Sequence, residues 1–357
     1  MDINPFKFFL PKKMVGVDIG TSSLKIVELS KFGRGMTLEN YGEIKSISFL
    51  KESFRETKKG NYLLSSGLVS KAVRAVLDEA RIRTRAAVFS IPDFSTFFVS
   101  FELPPMSSSE IPEAVRLNAP QYVPLPISET TLDWRLISGV PGDKRSSLNI
   151  LVIAVANQVV QEYQRVAKSA GLELYALEAE ALAAVRSLIK NDRKPALLID
   201  IGAQSTTVNV IDKGILEKSY SFDFSSNQLT YAVSSSTDKI YAEAEEIKRR
   251  EGIISKEKSI SDALYLMIDP FLAEINKITS EFVQSEGNEI EKIYLTGGTA
   301  NLPGLKEYFA EVIGKKIEIP NCFSDFIYPP ILGDKLKEIS PSYSVAVGVA
   351  LGGLESR

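Results

Sequence analysis

The stretch Val15–Leu29 reads VGVDIGTSSLKIVEL, and Leu198–Val210 reads LIDIGAQSTTVNV. Each is an apolar run that ends in Asp-Ile-Gly and continues into a hydroxyl-rich alternating run. In each case a turn and a third strand pattern follow: Lys31–Gly35 then Met36–Ile44, and Lys213–Gly214 then Ile215–Phe222. One such stretch is an ordinary strand and turn. Two copies, with their aspartates Asp18 and Asp200 182 residues apart, predict a duplicated three-strand meander and two similar halves.

Those turns suit phosphate. Glycine lets the backbone approach an anion closely, and flanking amides and hydroxyls donate to its oxygens. An aspartate at each strand end offers oxygen to Mg²⁺, directly or through water. A third turn, Gly297-Gly298 in IYLTGGTANLPGL (Ile293–Leu305), follows a strand pattern and would let backbone lie flat against a nucleoside. On the helix pattern Ile240–Gly252, Glu245, Lys248 and Arg249 fall on neighbouring turns. The carboxylate suits ribose hydroxyls and the cations suit adenine. No Gly-x-x-x-x-Gly-Lys-[Ser/Thr] occurs, so the P-loop is excluded.

Composition narrows the chemistry further. The chain has 357 residues, 44% hydrophobic and 24% charged, which predicts at least two domains of a globular protein. A net charge of -3 argues against a nucleic-acid partner. Histidine is absent, which removes Ser-His-Asp and Cys-His catalysis and histidine-ligated zinc. The single cysteine, Cys322, forbids an intrachain disulfide and fits a reducing compartment. No run approaches the ~20 apolar residues of a membrane span, and MDINPFKFFLPKK lacks a signal-peptide pattern, so a cytoplasmic location is expected. Phe6, Lys7, Phe8, Phe9, Lys12 and Lys13 in that arm are compatible with weak membrane contact, though a packed or frayed arm is the simpler expectation.

Between the halves, apolar spacing predicts helices over Ser65–Ala80 and from Val159 to a Gly171 cap. Strand patterns fall at Ala86–Pro92 and Thr96–Pro104, and a long hairpin joins Thr130–Ile137 to Leu148–Ala156. The second half turns helical over Ser259–Ser285, and the chain ends in a small-residue helix, Ser342–Leu354.

These motifs resemble the phosphate and adenosine motifs of the actin-like ATPase superfamily, which includes actin, sugar kinases and FtsA. Nearly the whole chain further resembles the type IV pilus assembly protein PilM family. The resemblance rests on VFSIPDFSTFFVSFELPPMS (Val88–Ser107), the Tyr122–Pro126 segment YVPLP, NQLTYAV (Asn227–Val233) and AEEIKRREGI (Ala244–Ile253). It implies an α/β, duplicated ribonuclease H-like, two-lobed actin-like fold with a small inserted FtsA/PilM-type subdomain. Residues 1–82, 167–192 and 341–357 would form the first subdomain and 83–166 the insert. Residues 193–230 and 288–340 would form the second actin-like subdomain, and 231–287 a helical nucleoside-binding one.

The resemblance also implies ATP and Mg²⁺ between the lobes. Asp18 and Asp200 would lie near Mg²⁺ through water. Gly20, Thr21, Ser22, Ser23 and Lys25 would form the first phosphate loop, and Gly202, Ala203, Gln204 and Ser205 the second. Glu245, Lys248, Gly297, Gly298 and Thr299 would line the nucleoside pocket, and Glu180, in the first connecting helix, would orient water. The implied function is a cytoplasmic, ATP-binding scaffold at the inner membrane of the type IV pilus or a related type II secretion system. It would dock the N-terminal peptide of a PilN-like protein, with Phe97, Phe98, Phe101 and Tyr122 as the apolar groove, and self-association is compatible with it. A small-molecule kinase and an FtsA-like filament-forming tether are the alternatives. Two departures from the family pattern bear on hydrolysis: Ser225-Ser226 replaces a glycine pair, and Ala181 replaces a frequent proline.

Overall fold

The computed structural model describes residues 12–45, 54–56, 62–189 and 192–355. The Phe-rich arm with Phe6, Phe8 and Phe9, and most of the Lys45–Asn61 loop, lie outside them. In chain order the first half holds β1 (Lys12–Ile19), β2 (Ser23–Phe32), β3 (Gly35–Lys45), a short pair β4 (Phe54–Glu56) and β5 (Tyr62–Leu64), α1 (Ser66–Glu79) and β6 (Ala86–Ile91). Then come β7 (Thr96–Leu103), α2 (Ile111–Asn118), β8 (Thr130–Ser138), β9 (Leu148–Ala156), α3 (Asn157–Ala170), β10 (Glu173–Ala179) and α4 (Glu180–Leu188). The second half holds β11 (Ala196–Ile201), β12 (Thr206–Asp212), β13 (Ile215–Phe222), α5 (Ser226–Thr237), α6 (Tyr241–Glu251) and α7 (Lys258–Glu286). It closes with β14 (Lys292–Thr296), α8 (Leu305–Ile313), β15 (Lys316–Glu318) and α9 (Gly333–Glu355).

The expected duplication is present. One five-stranded sheet has the order β10-β6-β1-β2-β3 and the other β13-β12-β11-β14-β15. Each is an antiparallel meander extended by two parallel strands on the side of its first strand. Strand pleating sorts the first core: Val15, Val17 and Ile19 face α1 and α3, while Met14 and Gly16 face α9. The second sheet packs Val208, Val210, Ile199 and Leu295 against α5, α7 and α8. Burying each such aliphatic side chain contributes about 1.5–3 kcal/mol.

Between the sheets lie α4 and α9, and one apolar cluster containing Ala184, Val185, Leu198, Val347 and Val349 joins the two lobes. The helices cross closely because Gly348 has no side chain; a Cβ there would collide with the Ala183 carbonyl. A second tie runs from the segment before α9 to the first sheet. Leu38 N donates to Ile327 O (3.1 Å) and Ile327 N donates to Met36 O (2.8 Å), so Ile327 forms a parallel bridge on the edge of β3.

A three-stranded sheet, β7-β9-β8, with α2 on one face makes the inserted unit. It is shorter than the expected 83–166. β6 pairs with β1 in the first sheet, and Val159, Tyr163 and Val166 of α3 pack on α1, so both belong to the first lobe. The last helix begins at Gly333, earlier than the small-residue pattern suggested, and the expected boundary at 341 falls inside it.

Candidate functional site

Both meanders deliver their strand ends to one cleft of about 670 Å³. The two turns are built alike. Gly20 N donates to Ser23 O and Gly202 N donates to Ser205 O, each at 3.0 Å. In register, Asp18 lies opposite Lys25 and Asp200 opposite Thr207. Ser90 Oγ, at the end of β6, donates to Asp18 Oδ1 (2.8 Å), and the buried Lys25 Nζ donates to Ser23 Oγ (2.6 Å).

Every residue expected around the nucleotide lines this cleft: Asp18, Gly20, Thr21, Ser22, Ser23, Lys25, Glu180, Asp200, Gly202, Ala203, Gln204, Ser205, Glu245, Lys248, Gly297, Gly298 and Thr299. Gly297 has φ +87°, and a Cβ on it would collide with Asp200 Oδ1, whereas Gly298 faces open space. Gly297 N and Thr296 Oγ1 donate to Pro341 O, at 3.0 and 2.9 Å, which staples this turn to α9. Thr299 Oγ1 is buried without a hydrogen-bond partner.

The carboxylates repel ionisation. Burial pushes Asp18 up, against the opposing pull of Lys25 and the Ser90 hydrogen bond. Burial, then the neighbouring Asp93 and Asp18, pushes Asp200 up to about 7. Glu180 is held well above the ordinary carboxylate range by burial and then by Asp18, Asp93 and Asp200. Among the described residues, no group of three or more Asp, Glu, His or Cys is placed to hold a metal ion by itself.

The helical side of the cleft departs from the expectation for Lys248. Its ammonium is buried and donates to Ser226 Oγ (2.7 Å), Ser226 O (3.0 Å) and Thr230 Oγ1 (2.8 Å), and it pairs with Glu245 (2.7 Å). A lysine has three protons to donate, so this one is spent on the α5–α6 junction rather than free for a base. Burial pushes the Glu245 carboxyl up, but Lys248, Thr230 and Arg249 outweigh it, and the net shift is downward. The Ser225-Ser226 pair has local work as well. The Ser225 hydroxyl accepts from Gln228 N as the cap of α5, and Ser226 anchors Lys248.

The proposed apolar groove does not assemble from its four expected residues. Along β7, Phe97 and Phe101 point to the α2 side, whereas Phe98 points to the opposite face, toward Leu182 of α4 and Leu216 of β13. Phe101 is buried and stacks on the exposed Tyr122 with centroids 5.2 Å apart. On Phe98's side of the sheet, a separate cleft of about 390 Å³ opens between β8, α4, the β12–β13 turn and the end of α9. Leu182, Val185, Ile189 and Leu216 give it apolar walls, with Arg135, Arg186 and Glu355 at its margin.

Sequence reasoning missed Asp93 and Thr207, which line the nucleotide-sized cleft and are buried. The available signal for Asp93 was its place just past the buried strand Ala86–Ile91, the third strand to end at the same sheet edge.

The family model described as type IV pilus assembly protein PilM matches residues 16–354. The chain belongs to the PilM family. It is an actin-like type IV pilus assembly protein. A solved structure described as the PilM-PilN type IV pilus biogenesis complex superposes with a TM-score of 0.82 at 25% identity, over 96% of this chain and 98% of that one. Ethanolamine utilization protein EutJ from Carboxydothermus hydrogenoformans gives 0.54 at 19% identity, over 96% and 90%. MreB 5 of Spiroplasma citri, solved bound to AMPPNP, gives 0.51 at 14%, over 95% of each chain. These last two likenesses show the fold, that of the actin-like ATPases. Among the described residues, no helix is long and apolar enough to cross a membrane.

Proposed function

We propose that this PilM-family chain is a nucleotide-binding scaffold on the cytoplasmic side of the inner membrane. It holds Mg-ATP between its lobes and docks the N-terminal peptide of a PilN-like protein. The observation that carries the nucleotide reading is the pair of identical Asp-x-Gly turns facing one cleft. The residues present fit the ligand: two amide-and-hydroxyl turns, a buried lysine, an open Gly298 and an unpartnered Thr299 hydroxyl. Thr21, Ser22, Ser23 and Lys25 would hold one side of the phosphates, and Gly202–Ser205 the other. Asp18 and Asp200 would orient the water shell of Mg²⁺, which supplies the positive charge that neutralises phosphate oxygens. Glu180, whose carboxyl is held above the ordinary carboxylate range by burial and then by Asp18, Asp93 and Asp200, lines the cleft where it would orient water. The departures at Ser225-Ser226 and Ala181 fit nucleotide as a structural or switching ligand with slow turnover.

For the peptide, we place the groove in the cleft between β8 and α4. It joins the insert to the first lobe, and its apolar walls with arginine at the margin suit an extended segment. Two measurements test the whole reading. Mg-ATP raises the melting temperature; an unchanged melting temperature removes the nucleotide claim. A PilN-like N-terminal peptide binds saturably, is weakened by Arg135→Glu at the cleft margin and is unaffected by Tyr122→Ala; the reverse pattern returns the groove to the Phe101–Tyr122 face, and sugar turnover without peptide binding favours a kinase.

A further inference from the structure

Asp93 stands where three parts of the molecule meet. It follows β6 of the first lobe, three residues before β7 of the insert. Its Oδ1 accepts from Ala181 N (3.1 Å) in the first turn of α4, and its own backbone N donates to Glu180 Oε2 (3.3 Å). Thr207, on β12 of the second lobe, lies buried beside it in the same cleft, and against the upward push of burial its side chain pulls the Asp93 carboxyl down. The first amides of a helix have no partner within the helix, and no side chain caps α4 from the residue before it, Ala179. Asp93 and the Glu180-Ala181 pair therefore exchange hydrogen bonds much as a capping box does, side chain to backbone in each direction, but from separate segments of chain.

We propose that Asp93 is a positioning residue: it fixes the start of α4, and with it the Glu180 carboxylate, against the second lobe through Thr207. What it supplies is acceptor geometry. An asparagine retains an oxygen for Ala181 and on the Thr207 side, while an alanine leaves the Ala181 amide buried without its acceptor. The inference concerns the free protein and stands whether or not a nucleotide binds in the cleft.

The test is hydrogen exchange at the Ala181 amide in the full chain without ligand, read by fragmentation mass spectrometry. Asp93→Ala speeds it about tenfold, Asp93→Asn leaves it within about twofold of the parent, and Thr207→Val falls between. In crystals of Asp93→Ala the Glu180 carboxylate no longer accepts from the backbone amide of residue 93. Unchanged exchange in Asp93→Ala, or exchange in Asp93→Asn as fast as in Asp93→Ala, overturns the assignment. So does a Glu180 that keeps its place in the alanine variant. If Asp93→Ala does not fold, Thr207→Val decides: faster exchange at Ala181 supports the tie and unchanged exchange refutes it.

Discussion

The two halves share a sheet plan and a turn, and they differ in what stands opposite each aspartate. In the first, Asp18 faces Lys25 and receives a hydrogen bond from Ser90. In the second, the register partner of Asp200 is Thr207 rather than a lysine. The strand ends that follow differ too. β6 leads through Asp93 into an inserted sheet, while β14 leads into the double-glycine turn. Duplication thus supplied a symmetric grip, and divergence at a few register positions made one side cationic and joined to the insert, the other acidic and open to a flat ligand. If the comparison is right, equivalent substitutions in the two halves have unequal effects.

The largest is expected at the aspartates. Asp200→Ala abolishes the melting-temperature rise produced by Mg-ATP, whereas Asp18→Ala, whose lysine neighbour remains, reduces it; equal loss in a thermal-shift titration would make the halves interchangeable. Next come the turn glycines. Gly297→Ala forces a side chain into the left-handed region against Asp200 and costs about 1–3 kcal/mol. Gly20→Ala meets only Ser23 O at 3.0 Å and has no positive φ, so it costs less than ~1 kcal/mol. Urea unfolding of the two variants measures the gap.

The third expectation concerns pH. Asp200 is raised from 3.8 to about 7, and burial raises Asp93 to about 6 against hydrogen bonds from Ala181 and Thr207. Between those values and 3.8 the folded protein binds more protons than the unfolded chain. The stabilisation is complete below the unfolded pKa and is lost as pH rises through the folded one. In EDTA, stability falls from about pH 5 to pH 8, and Asp200→Asn flattens that fall; the same slope in parent and variant would contradict the acidic character of the second half. The smallest effect belongs to the cap of α5: Ser225→Ala lowers stability by about 0.5–2 kcal/mol in the same urea experiment.

The meanders, the cleft and several helices were legible because period-2 and period-3.6 patterns and the repeated Asp-Ile-Gly are local signals; α5 was not read as a helix. The superfamily resemblance followed from those turns, and the PilM resemblance from segments away from them, such as Tyr122–Pro126 and Ala244–Ile253. β10 was not legible: Glu173–Ala179 fully buries only Ala179 and has no clean alternation, and only parallel pairing with β6 makes it a strand. The β7 aromatics were misgrouped because adjacent residues of a strand face opposite ways, so Phe98 cannot share a surface with Phe97. Lys248 has the spacing of a solvated helical cation, and only the approach of α5 buries it. Asp93 depends on three segments converging, which no window of sequence contains.

The bridge at Ile327 has a consequence for assembly. An exposed sheet edge is a template on which another chain can add a strand. Along Met36–Leu38 the edge of β3 already has its amide and carbonyl partners, drawn from the same polypeptide. Copies of this protein therefore cannot be zipped together by backbone there. Contact at that part of the rim falls to side chains rather than to backbone pairing.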